Sequence, residues 1–97
     1  MSRSVPEEEC DPQVADRLLA ATIYLMSCHA RNGCPRLACM VGRHLEAISH
    51  HPAAGALVRD TCRQLAAAWE SVRVADERRC EEAQSPSVLE TLRRIVH

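Results

Sequence analysis

Four of the five prolines cut this chain into helix-length pieces. Pro12 follows Asp11, Pro35 follows Gly33-Cys34, Pro52 follows His50-His51, and Pro86 follows Ser85. Proline has no N–H to donate and a fixed φ, so it suits the first turn of a helix and disrupts the interior. An Asp or Ser ahead of it can cap the free amides. Asn32-Gly33 supplies a stop, because glycine takes the left-handed conformation that closes a helix. This punctuation predicts four helices, over about 12–31, 35–50, 53–83 and 86–96. His50 would end the second and His51-Pro52 would start the third. Ser87 with Glu90 offers an alternative capping box for the last.

Composition points the same way. The chain has 97 residues, no Phe, one Trp and one Tyr. Its core must come from Ala, Leu, Val, Ile, Met and Cys, a set weighted toward helix formers. The sequence therefore predicts an all-α fold, a small four-helix bundle or pair of helical hairpins. It forms one domain over 11–97, preceded by a disordered acidic tail over 1–10 that contains Glu7-Glu8-Glu9.

Helical phase assigns a buried face to each segment. Val14, Leu18, Leu19, Ile23, Leu25 and Met26 spread over half of the first helix, which suits a helix packed on two sides. The second carries a narrower stripe, Leu37, Val41, Leu45 and Ile48. In the third, Val58, Cys62, Leu65, Trp69 and Val72 fall in a line close to a coiled-coil seam. Val88, Leu89, Leu92, Ile95 and Val96 form the stripe of the fourth. The third segment is far longer than the second; Asp76 to Glu82 reads as a solvated, charged extension of it, or else Val72, Cys80 and Ala83, on the same face, meet the fourth helix or a second chain.

All twelve basic residues are Arg, as codon bias in a GC-rich genome would produce, and thirteen acidic residues balance them. A net charge of −1 argues against nucleic acid as a partner. The longest apolar-rich stretch, Leu18 to Cys28, is eleven residues, against about twenty for a membrane span. No secretory signal is legible in Met1–Cys10. A cytoplasmic location is expected, where cysteines stay reduced.

The chemistry-bearing residues concentrate at the corner between the first two helices, where Cys28, His29, Cys34 and Cys39 fall within twelve positions. Zinc sites use Cys and His pairs with two to four residues between them. Cys28 and Cys34 have five between them, and Cys34 and Cys39 have four. Phase turns Cys39 away from Leu37, Val41 and Ile48, puts Cys28 at the edge of the apolar arc and His29 near its middle. No metal is favoured and no cofactor is implied. Zinc held by these four, or a Cys28–Cys39 or Cys34–Cys39 redox pair, stands as an alternative. The chain shows no Gly-rich phosphate loop and no carboxylate pair in an apolar setting, so it does not read as an enzyme.

Arg36 to Ile48 resembles part of a helix-turn-helix motif, with Leu37, Ala38, Val41, Gly42 and Ile48 at positions where that motif often has Leu, Ala, Val, Gly and Ile. The resemblance implies a transcriptional regulator that reads DNA through Arg36, Arg43 and neighbours. The favoured expectation is different: a non-enzymatic protein–protein interaction or regulatory module, homodimeric or docked to another protein, with Trp69, Val72, Leu92 and Ile95 as its interaction residues.

Overall fold

The computed structural model describes residues 11–83 and 86–96. They form four α-helices and, among the described residues, no strand: α1 (Pro12–Asn32), α2 (Pro35–Ser49), α3 (Ala56–Ala83) and α4 (Pro86–Val96). The all-α expectation holds. The tail over 1–10, Ser85 and the Ser87 side chain of the proposed capping box lie outside what is described.

The first corner forms as the sequence implies. Asp11 caps α1, with the Gln13 N–H donating to its Oδ1 at 2.9 Å, and Pro12 takes the first helical position. Gly33 closes the helix at φ 60°, its N–H donating to the His29 carbonyl at 2.7 Å. Cys34 and Pro35 then open α2.

The second corner departs from expectation. Pro52 does not start α3; the helix begins at Ala56, three residues later than the expected residue 53. His51 diverts the chain. Its Nδ1 accepts the Ala53 N–H at 3.1 Å, and its carbonyl accepts the Ala54 N–H at 3.2 Å. A turn therefore fills 52–54, and Gly55 becomes the residue whose carbonyl takes the first helical bond, from Arg59, at 2.9 Å. His50 caps α2 and is not its last turn.

α2 is the middle element. It packs against α1 on one side and α3 on the other, while no α1 Cα comes within 8 Å of an α3 Cα. The core lies along α2: Val41, Leu45 and Ile48 are buried with Ala54 and Cys62, and Leu18, Leu25, Met26, Ala66 and Trp69 pack around them. Two stripe assignments depart from the expected positions. Ala38, not Leu37, is the buried start of the α2 stripe. On α3 the buried positions are Cys62 and Asp76, while Val58 and Leu65 remain 38% and 39% exposed. The shift follows from the layer. Within the body of α1 to α3, α3 packs its backbone on α2 alone and meets α1 only through side chains, so it buries a narrow line.

α4 packs on α3 and on no other helix. The molecule is accordingly long, 74 × 22 × 19 Å, with a radius of gyration of 18.9 Å against about 13 Å for a compact chain of this length. Among the described residues, no helix is long and apolar enough to cross a membrane.

Candidate functional site

α1 and α3 run in the same direction on either side of α2, and two contacts fix their alignment. Near their starts, Ala15 and Leu19 of α1 and Val58 of α3 line one cleft of about 130 Å³, with Ile48 of α2 among its other walls. Further along, His29 of α1 meets Trp69 and Asp76 of α3. Between these points α1 and α3 flank α2 without backbone contact to each other. Leu19 of α1 is 37% exposed; Val58 and Leu65, one heptad apart on one face of α3, are open to similar degrees.

The far end of the α1–α3 pair carries a polar bridge in an apolar setting. His29 Nε2 donates to Asp76 Oδ2 at 2.6 Å, and the carboxylate is 1% exposed. A carboxylate only accepts, so Nε2 carries the hydrogen. The Arg79 guanidinium donates to the other carboxylate oxygen, Oδ1, from a position one turn along α3. The His29 ring stands edge-on to Trp69, with centroids 5.0 Å apart and planes at 76°. A Cβ at Gly33 would meet the Arg79 guanidinium at 3.4 Å, so the same arginine also lies against the first corner. A buried carboxylate is costly unless both oxygens are satisfied. Here both are, one by each partner.

No protein-family model, curated protein or solved structure matches this chain. Its functional reading rests on the geometry alone.

The structure brings His29 and Trp69 together and separates the cysteines by role. Cys28 is half-buried, with Arg31 donating to its Sγ at 3.8 Å. Cys34 is the N-cap of α2 and makes no side-chain capping bond. Cys39 lines a different groove, of about 540 Å³, between α2 and α3, shared with Ala38, Gly42, Ala66 and Trp69. All three are free thiols, as are Cys62 and Cys80. Among the described residues, no group of three or more His, Cys, Asp or Glu side chains is placed to hold a metal ion. Burial pushes the Cys62 thiol above its ordinary range.

Of the four expected interaction residues, Trp69 and Val72 are half-buried, and Trp69 packs on the core and on His29. Leu92 and Ile95 are open to solvent, at 51% and 74%. The segment that resembles a helix-turn-helix is one continuous helix, with no turn at Gly42.

Sequence reasoning missed Asp76, which it assigned to a solvated extension. The signal was present. Asp76 sits one heptad after Trp69, on the same face, and His29 sits inside the apolar arc of α1. Each is a polar residue out of place on an apolar stripe. Two such misfits on neighbouring helices each supply the partner the other requires.

His51 holds a second unusual group. Its Nδ1 accepts from Ala53, so the ring hydrogen lies on Nε2, and that atom is buried with no hydrogen-bond partner among the described residues.

Proposed function

We propose that this chain is a small non-enzymatic helical interaction module that works as a homodimer. One observation carries the reading: α4 is an amphipathic helix that packs on the end of α3 alone, with Leu92 and Ile95 exposed on one face. An amphipathic stripe stabilises a helix only where it is covered. Further apolar surface stays open on the body, at Leu19, Ile23 and Tyr24 of α1 and at Leu57, Val58 and Leu65 of α3. Exposed apolar area of this extent on a small chain suits a protein-binding surface.

Leu92 and Ile95 are the anchors in this reading. Trp69 and Val72, half-buried on α3, join them as partly covered anchors. A DNA reader would need a recognition helix that starts after a turn at Gly42, but α2 is continuous there and buries Leu45 and Ile48. A zinc sensor would need Cys28, His29, Cys34 and Cys39 to converge, yet His29 is engaged by Asp76 and Cys39 lies in another groove.

Light scattering coupled to size exclusion tests the proposal. The expected mass at micromolar concentration is twice the 10.8 kDa of one chain. A single-chain mass throughout the micromolar range would retire the homodimer.

A further inference from the structure

We infer that the cleft where the start of α1 meets the end of α2 binds a small organic carboxylate, held by the His51 ring N–H and the Arg17 guanidinium. The site lies within one chain and does not depend on the homodimer. Asp11, Val14 and Arg17 follow one another at three-residue steps, so they share one face of the first turns of α1. That face meets the end of α2 and the turn after it, from Ala47 to Pro52, around a cleft of about 680 Å³. Pockets for small molecules run from roughly 300 to 1,000 Å³ and set a few polar groups in an apolar lining. Val14, Ala47 and Pro52 supply the apolar part here.

His51 is the observation that points to a ligand. It lines the cleft, yet the residue is only 8% exposed. Its Nδ1 is committed to the turn, accepting the Ala53 N–H at 3.1 Å, so the ring hydrogen sits on Nε2, on the side away from that bond. Nε2 is buried and has no hydrogen-bond partner among the described residues. A buried donor left unpaired costs stability, and folded proteins leave few of them. An acceptor brought in by a ligand recovers that cost.

The rest of the cleft decides what the acceptor is. Arg17 is exposed and makes no hydrogen bond or ion pair among the described residues. His50 is turned to Glu46, 3.3 Å from its Nε2. Asp11 is the acid of the lining, and its Oδ1 is committed to capping α1, accepting the Gln13 N–H at 2.9 Å. The uncommitted donors are therefore a ring N–H and a guanidinium. A carboxylate answers both, with charge opposite to Arg17 and two oxygens to share. Asp11 disfavours a doubly charged anion, and the apolar lining favours a hydrocarbon body on the ligand.

Amide and imidazole NMR of the full chain, titrated with hexanoate as the probe, tests this. Saturable shifts are expected at Val14, Ala47 and the His51 Nε2–H. Hexanol, which lacks the charge, should bind at least tenfold more weakly, and inorganic phosphate should not displace hexanoate. Arg17→Gln removes the exposed cation. His51→Asn keeps an acceptor for the Ala53 N–H and removes the Nε2–H. Each variant should weaken hexanoate binding by about tenfold or more, the effect of losing one hydrogen bond to a charged group. If His51→Asn does not fold, Arg17→Gln and the hexanol comparison decide. Shifts that grow without saturating, hexanol binding as tightly as hexanoate, displacement by phosphate, or a folded variant that binds like the wild-type chain would each overturn the site.

Discussion

At the scale of single residues, the His29–Asp76–Arg79 bridge and Gly42 carry the sharpest consequences. The bridge joins two helices whose backbones do not touch, so its side chains hold α1 and α3 in register. His29→Ala leaves the Asp76 carboxylate buried with Arg79 as its remaining partner. The expected cost is about 3 kcal/mol, the usual penalty for breaking one side of a buried pair. Asp76→Asn keeps a hydrogen-bonding acceptor and should cost less. Chemical denaturation of both variants checks the order, and equal costs would mean that charge is not what the site stores. Gly42 gives a test of opposite sign. It lies mid-helix, and a Cβ placed there meets nothing within 4 Å. Gly42→Ala should raise stability by about 0.5–1 kcal/mol through helix propensity and a less flexible unfolded chain. A helix-turn-helix glycine at a tight turn would respond with a loss.

At the scale of elements, α3 is 28 residues long, and its last contacts with the body are Asp76 on His29 and Arg79 beside Gly33. Its solvent face is supported locally. Arg73 donates to both Glu70 and Glu77, one turn before and one turn after it. The hydrogen bond from Arg73, aided by its charge, holds the Glu70 carboxyl below the usual carboxylate range against a smaller opposing effect of burial. The same two partners push the Arg73 guanidinium up. A carboxyl depressed in the folded state adds stability above its unfolded value and gives it up as pH falls through the folded one. The stability difference between the wild-type chain and Arg73→Gln should therefore be full at neutral pH and vanish on acidification below about 4.5, the ordinary value for this carboxyl. Urea unfolding at several pH values measures it. A difference that does not change with pH would assign the effect of Arg73 to its alkyl stem.

At the scale of the molecule, the exposed apolar residues of α4 tie stability to the proposed homodimer. If α4 is covered only by a second copy, the melting temperature should rise with protein concentration, because association draws on the folded chain alone. A chain shortened after Ala83 should lose that dependence while keeping its helices, since α4 contributes little to the body. Calorimetry over a hundredfold range of concentration decides it.

The sequence by itself determined the number of helices, the first corner and the α2 stripe. Those features rest on local rules: proline at a first turn, glycine at a left-handed stop and a 3.6-residue apolar period. It erred at the second corner because His51 competes for backbone amides through its ring, which no helix-start rule counts. It set Asp76 aside as surface because charge is read one helix at a time, and what buries that carboxylate is His29, 47 positions earlier. Only the tertiary arrangement decided that α2 would be central, that α1 and α3 would meet through side chains alone, and that α4 would approach no helix but α3. Such distances depend on how side chains from separate helices fill the space between them, and a local pattern cannot encode that.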